Sequence, residues 1–489
     1  MDDTRSNSSM NAESKRASVP DATLPLSEIP MYRGVGYVIG LSSVAAIGGF
    51  LFGFDSGVIN GTVDALSQSF GTHSAVTGFA VASVLLGCAV GAFIAGTLAD
   101  LMGRRTTMLL TAILFLLSAF ATGASTSAAL FIIARVAGGL AIGAASVLTP
   151  MYISEIAPAR LRGRLSSLQQ LAIVLGLFFA FLSNDLIARA AGSASATFWF
   201  GTTAWRWMFW MEAVPSSAFL IGILCIPESP RFLVAAGKKD SARRIFAHLD
   251  SDADALISQV EHSLRGEHRP RLSDLYDPRT GHLASLVWVG VGLAAFQQFV
   301  GINIIFYYGA VLWRAAGASE QAALEINLLT GFVNILATFL AIGLIDRVGR
   351  KPLLIAGSIG MAVTLLIMAV VFGTAGGATE NKPELGHVAA VIGLTAANLY
   401  IVSFGVSWGP VMWVLLGEMF PNRLRGAALA VSGATNWAAN FIVTVTFLPL
   451  LKGAGLATAY GLYAGCATIS IVFVWFTVRE TKGKTLEEM

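Results

Sequence analysis

The chain alternates long apolar runs with short polar connections from residue 33 almost to its last residue. Runs of about 20 apolar residues have the length an α-helix needs to cross about 30 Å of hydrocarbon. Twelve such spans are read near 36–63, 75–98, 107–127, 128–151, 165–188, 207–226, 285–313, 322–345, 353–373, 388–417, 427–450 and 457–478. The pattern predicts an all-α membrane protein of twelve transmembrane helices. Residues 1–32 read as a disordered polar tail, 227–284 as a linker, and 479–489 as a second tail. In the linker, Ile245, Leu249, Leu256, Val260 and Leu264 approximate one helical face, which predicts short amphipathic helices. The first six spans form one predicted half, 33–226, and the last six the other, 285–478.

Composition overrules the several soluble domains that a length of 489 residues would suggest. Hydrophobic residues make up 55% and charged residues 12%, with a mean hydropathy of +0.70, outside the ordinary soluble range. Net charge is only +3, yet its placement is informative. Arg135 is the one basic residue inside a span, and only Arg189, Arg206, Arg314, Lys382 and Lys452 fall on odd-numbered connections. The remaining Lys and Arg lie on the tails and even-numbered connections. By the positive-inside rule both termini and those connections are expected in the cytoplasm of a plasma or bacterial inner-membrane protein. Residues 1–32 do not read as a cleavable signal, because the next apolar run is a full span. Nothing suggests a nucleic-acid partner. Cys88, Cys225 and Cys466 have no metal-ligand spacing, so neither metal nor organic cofactor is expected.

Two motifs recur in the same order after corresponding spans. Asp100, Gly103 and Arg104 after span 2 match Asp346, Gly349 and Arg350 after span 8. Glu155, Pro158, Arg160, Leu161, Arg162 and Gly163 after span 4 match Glu418, Pro421, Arg423, Leu424, Arg425 and Gly426 after span 10. The repetition predicts two six-helix halves in parallel orientation, with a ligand held between them at the midplane.

Further motifs are Arg135-x-x-Gly138-Gly139, Pro227-Glu-Ser-Pro-Arg231, Gln297-Gln298-x-x-Gly301-Ile-Asn303, Gly409-Pro410-x-x-Trp413 and Glu480-Thr-Lys-Gly483. Together and in this order, they make residues 33–489 resemble the sugar porter family of the major facilitator superfamily. The final motif departs from the family pattern, carrying Arg479 where Pro is usual. The resemblance implies import of a monosaccharide, a hexose by default, by alternating access. It is expected to work as a monomer among membrane lipids, with the proton as coupling ion.

Candidate chemistry starts at Asp55, a carboxylate inside span 1, where burial costs about 2.5–3.5 kcal/mol on insertion scales. Gly49, Gly53, Gly57 and Gly61 recur every four residues and form one row for close helix packing. Asp55 faces away from that row. Arg135 should seek an acid in the protein interior, and Glu212 in span 6 is a third candidate. A guanidinium beside a carboxylate favours its charged form and burial disfavours it, so separating Asp55 from Arg135 would couple proton affinity to conformation. A purely structural ion pair is the plainer alternative.

Amides suit a sugar cradle because each donates and accepts, as hydroxyls do. Gln170, Gln297, Gln298, Asn303, Asn334 and Asn436 lie in spans, where polar groups also serve simply to join helices. The resemblance carries sugar binding onto them. Gly301 is expected to relax span 7 and Gly409-Pro410 to relax span 10. Trp413 and Phe52 are candidates to face a sugar ring, against the plainer reading of packing residues. Asp100, Arg104, Glu155, Arg162, Asp346, Arg350, Glu418 and Arg425, with Glu228 and Arg231, anchor topology and are expected to form cross-helix ion pairs at the inner mouth. The resemblance adds a gate that breaks as the halves rock. A facilitative uniporter and a non-cycling sugar sensor are the alternatives, and 479–489 is short for a signalling tail. No nucleophile–base pair or nucleotide loop points to an enzyme.

Overall fold

The structure, a computed structural model, describes residues 35–249, 253–265, 272–276, 282–375 and 386–482. The predicted tail over 1–32 and the side chains of Leu249, Leu264, Arg162 and Asp346 lie outside the described residues, as does most of the polar segment 374–386.

The first six spans are carried by α1 (Val35–Val58), α3 (Ser74–Met102), α4 (Arg104–Ala124), α5 (Ala128–Ile156), α6 (Ala159–Ala191) and the pair α7 (Ala204–Trp210) and α8 (Ala213–Cys225). A short helix, α2 (Val63–Phe70), follows a 3-10 turn at Ile59–Gly61. The linker contributes α9 (Pro230–Ala235), α10 (Lys239–Leu249) and α11 (Ala253–Arg265). Ile245, Leu256 and Val260 pack on the core, as the sequence pattern predicts.

The last six spans begin with α12 (Ser285–Phe299) and α13 (Ile302–Ala315), which share span 7. Next come α14 (Glu320–Val348), α15 (Arg350–Ala375) and the pair α16 (His387–Val406) and α17 (Trp408–Met419). The final helix, α18 (Asn422–Thr477), covers two spans, and its backbone leaves helical geometry at Gly455 (φ 80°, ψ 172°). Eleven described helices or helix pairs are long and apolar enough to cross a membrane, and the break at Gly455 makes the twelfth span.

Glycine rows set the helix spacing. Gly49, Gly53, Gly57 and Gly61 lie against Gln169, Ile173, Leu177, Ala180 and Asn184 of α6. A β-carbon at Gly53 would collide with the Ile173 carbonyl. Such close backbone approach is the packing that small residues allow between membrane helices.

Two of the predicted helix breaks behave differently. Span 7 breaks at Gly301, which adopts φ 84°, a conformation costly for residues with a β-carbon. Span 10 breaks not at Gly409-Pro410 but at Ser407 (φ −120°, ψ −90°), with both residues inside the first turn of α17. Proline is tolerated in a first turn, where its missing N–H is not needed, so the distortion moves to the residue before the helix.

The first and last six spans meet at the end opposite the basic motifs. There α14 packs on α6, α18 on α3 and α13 on the Ile59–Gly61 turn. Gly78 lies under the Val445 carbonyl, and Phe79 meets Phe441 edge to face at 6.2 Å.

Candidate functional site: a buried ion pair beside an amide cluster

Asp55 leaves the glycine row free and turns its carboxylate to Arg135 of α5, with which it forms a charge-assisted hydrogen bond. Both are buried, at 4% and 2% exposure. Neither is saturated, because Asp55 Oδ2 and Arg135 Nε have no protein partner. The guanidinium also lies over the Phe209 ring at 5.8 Å. Glu212 sits at the junction of α7 and α8, 2% exposed, with its Oε1 unpartnered. It is close enough to interact electrostatically with both Asp55 and Arg135. The expected trio is therefore brought together, in a setting where two acids compete for one cation.

Beside the trio is a cavity of about 10 Å³, lined by Phe52, Asp55, Ser56, Cys88 and Arg135 from the first six spans and by Tyr307 from α13. That volume is about the minimum for one water molecule. Tyr307 lies close enough to interact with Ser56, next to Asp55, and with Asn440 of α18. The ion pair thus has a direct neighbour in the second group of spans, a contact the sequence reading did not single out.

The amides of span 7 form a closed set. Asn303 Nδ2 donates to Gln298 Oε1 at 2.7 Å, and Gln298 Nε2 donates to Asn436 Oδ1 at 3.2 Å. Asn436 Nδ2 donates to Gln297 Oε1 at 2.6 Å and to the Ala294 carbonyl at 3.2 Å. Gln297 Nε2 donates to the Trp408 carbonyl at 2.9 Å and lies 3.4 Å from that of Gly409. The break at Gly301 lets Gln298 and Asn303 meet, since it separates the helices that carry them.

Other candidates are placed apart from this set. Asn334 is buried on α14 near Gly405, and Gln170 is half-buried on α6. Trp413 is 44% exposed. Phe52 packs at 5.9 Å against Trp437, which follows Asn436 directly and was not singled out from the sequence. Trp437 was legible only as an aromatic beside a mid-span amide.

A third polar feature, also unforeseen, joins the groups of spans. Asn60, 1% exposed, donates to the Phe306 carbonyl at 2.9 Å. Its oxygen accepts from Ala310 N at 2.9 Å and from Asn327 Nδ2 at 2.8 Å. Nearer the membrane surface, Arg314 pairs with Asp64 at 2.7 Å, Arg189 with Glu325 at 3.1 Å, and Gln321 donates to Asp185 at 3.0 Å.

At the basic end the described ion pairs stay within a group. Arg104 binds Glu155 at 2.9 Å and Asp100 at 3.0 Å, and Glu228 accepts from the N–H groups of Arg104 and Arg105 at 2.8 and 3.0 Å. Ser229 donates to Glu155. The last six spans repeat this arrangement. Arg350 binds Glu418 at 2.8 Å, Glu480 accepts from Arg350 N and Lys351 N at 3.0 and 2.9 Å, and Thr481 donates to Glu418 at 2.6 Å. Glu228-Ser229 and Glu480-Thr481 are thus a third internal repeat, capping α4 and α15. Partial burial alone would raise the Glu480 carboxyl, but backbone N–H donors from Lys482, Arg350, Lys351 and Thr481 outweigh it and hold it below its ordinary value. Arg425 turns inward, donating to the Phe420 carbonyl at 3.2 Å. Arg231 lies in α9 beside these contacts.

A twelve-span helical bundle with a buried ion pair inside its spans and an amide set beside it has the build of a membrane transporter. The family model described as "Sugar (and other) transporter" matches residues 41–489, and the chain belongs to that sugar porter family of the major facilitator superfamily. It is similar to the glucose transport protein of Synechocystis, 53% identical over 93% of this chain and 97% of the relative. It is also similar to the D-xylose-proton symporter of Escherichia coli, 36% identical over 93% and 95% of the two chains. A solved structure of the E. coli xylose transporter XylE, described as partially occluded and inward open, superposes with a TM-score of 0.79. It is 34% identical and covers 92% of this chain and all of that one.

Proposed function

We propose that the protein imports a hexose, glucose first among candidates, together with a proton, across a plasma or bacterial inner membrane with both termini in the cytoplasm. It does so as a monomer by rocking of two six-helix halves, 33–226 and 285–478, joined by the linker 227–284. The observation that carries this reading is the buried, incompletely satisfied Asp55–Arg135 pair next to a cavity that Tyr307 closes from the other half. A carboxylate held only by one guanidinium is stable as an anion while the pair is intact. Movement that separates the two, or that brings Glu212 nearer the cation, leaves Asp55 to take up a proton.

In this reading Gln297, Gln298, Asn303 and Asn436 exchange their mutual bonds for sugar hydroxyls, Gln170 and Asn334 supply further amides, and Phe52, Gly409 and Trp413 shape the cavity. Fully paired amides cost little to keep in the membrane without sugar, and each replaced bond is returned by a hydroxyl. The contacts of Asn60, Asp64 and Asp185 hold the outer end shut, so the described state faces inward. The motif charges Asp100, Arg104, Glu155, Arg162, Glu228, Arg231, Asp346, Arg350, Glu418 and Arg425 form the inner gate, with the described pairs satisfied inside each half while that gate is open. The relatives' names support the choice of substrate class: a glucose carrier at 53% identity and a proton-coupled pentose carrier at 36%.

Uptake by proteoliposomes across hexoses, pentoses and polyols, with and without an acid exterior, tests the assignment. Accumulation of glucose above the equilibrium level only with the gradient, and its loss in Asp55→Asn, is expected. Equal accumulation by Asp55→Asn would refute coupling through this acid.

A further inference from the structure

Between Arg189 and Arg206 the chain carries no charged residue, yet it includes Phe198-Trp199-Phe200 and ends in Trp205. This connection between α6 and α7 is a tight hairpin. Thr197 bridges Thr203, Phe198 N donates to the Thr202 carbonyl at 2.7 Å, and Ala204 N donates to that of Ala196 at 2.9 Å. Its two aromatic faces differ. Trp205 is fully buried, donating to Ser69 Oγ at 3.0 Å and packing on Phe70, Phe131 and Phe209. Trp199 and Phe200 point away from the protein, 62% and 91% exposed.

That exposed tip is held in place, not frayed. Phe198 stacks on Trp199 at 4.9 Å, Trp199 meets Trp207 edge to face at 5.5 Å, and Phe200 lies over Trp207 at 6.1 Å. Trp207 Nε1 donates to Thr202 Oγ1 at 2.8 Å, and Trp207 meets Trp210 at 5.1 Å. Phe200 has φ 55°, and among the described residues it is the one non-glycine with positive φ. Left-handed backbone is unfavourable for a residue with a β-carbon, so the fold spends conformational energy to present this ring.

The direction it faces identifies what covers it. Trp210 Nε1 donates to the Phe120 carbonyl in the last turn of α4 at 3.2 Å, which fixes the aromatic column at the outer end of that helix. Immediately below on α4 and α8 are Phe120, Leu117, Val214 and Ile221, 51–63% exposed and all apolar. In a twelve-span membrane protein that exposed apolar stripe meets acyl chains, and the hairpin continues it past the helix ends. Indole rings with an apolar body and an N–H are favoured at this boundary.

We propose that residues 198–200, with Trp207 and Trp210, form an interfacial anchor that inserts into the acyl–headgroup boundary of the outer leaflet and fixes the α6–α7 corner at a set depth. The partner is the lipid surface itself.

The test places a nitroxide at Phe200→Cys and, separately, at Ser195→Cys, an exposed position on the same connection. The full-length protein has Cys225 and Cys466 replaced by Ala and sits in phosphatidylcholine bilayers. Power saturation then compares access of molecular oxygen, enriched in lipid, with access of a polar nickel chelate. The expected ratio of oxygen to nickel access is several-fold higher at 200 than at 195. Equal ratios, with nickel access dominant at both, would show a water-exposed tip and overturn the proposal. Low access to both reagents at 200 would equally overturn it, pointing to a protein surface such as a second copy. As an independent measurement, phosphatidylcholine labelled near its glycerol should quench less of the intrinsic tryptophan emission in Trp199→Phe than in the unsubstituted protein. Unchanged quenching counts against the anchor.

Discussion

Two of the polar centres within the described spans of this protein are satisfied in opposite ways. In the first six spans Asp55, Arg135 and Glu212 leave an oxygen or nitrogen each without a protein partner. In the last six, Gln297, Gln298, Asn303 and Asn436 pair their amides with one another and with the Trp408 and Ala294 carbonyls. Buried charge that is under-satisfied is expensive and sensitive to small movements; buried amides that bond each other are neither. The difference suits two tasks. A proton site must change affinity when the helices shift, whereas a sugar site must survive empty and exchange like for like.

The comparison breaks first at Asp55. Asp55→Asn should abolish accumulation against a gradient while sugar exchange between preloaded vesicles continues. A membrane potential supplies about 2.3 kcal/mol per 100 mV for each proton carried, and that contribution disappears with the acid. If exchange fails as well, Asp55 is structural and the contrast between the centres is lost. On the other side, Gln298→Ala removes the amide bonds to Gln297, Asn303 and Asn436 and should weaken apparent sugar affinity by about 1–3 kcal/mol, roughly 5- to 150-fold, without altering the proton dependence. A change in the pH profile instead would merge the two centres into one.

Asn60→Ala should act on neither centre directly but on the balance between states. It strands the Ala310 N–H and frees the Phe306 carbonyl where the two groups of spans meet. The expected cost is about 1–3 kcal/mol against the inward-facing state, read as increased labelling of a cysteine placed at the outer end of α13. Gly53→Leu should prevent α1 from seating on α6 and lower thermal stability by about 1–3 kcal/mol or more, whereas Gly96→Leu, with open space around it, should be tolerated.

The smallest effect belongs to Glu480. Its carboxyl titrates lower in the folded protein than in a free chain. Its contribution is therefore present above the ordinary carboxylate pKa and is lost as pH falls through the lower folded value. Protease cleavage at Arg479 and Lys482 should rise only in that acid range, and Glu480→Gln should flatten the rise.

Much of this was legible in the chain because membranes penalise exceptions. A four-residue glycine period could serve only close packing, and Gly53 indeed lies against the Ile173 backbone. Asp55 and Arg135, lone charges in separate apolar runs, had to find each other. The Gly301 break was readable because glycine is the residue that tolerates its backbone angle. The contact of Asn60 between the two groups of spans was not readable, since Asn60 binds backbone groups of span 7, and a carbonyl has no signature in sequence. Nor could pattern distinguish the packing role of Trp437 from that assigned to Trp413. The span 10 break fell at Ser407 because Pro410 could be accommodated in a helix start. The repeat of Glu228-Ser229 as Glu480-Thr481 was present in the residues but obscured by replacement of Pro227 with Arg479 at the matching position.

The central claim is that sugar and proton cross together. In lightly buffered suspensions of de-energised vesicles, addition of glucose outside should make the medium transiently alkaline as protons enter with the sugar, and Asp55→Asn should give no such signal. Glucose entry at an unchanged rate with no alkalinisation by the unsubstituted protein would contradict the account.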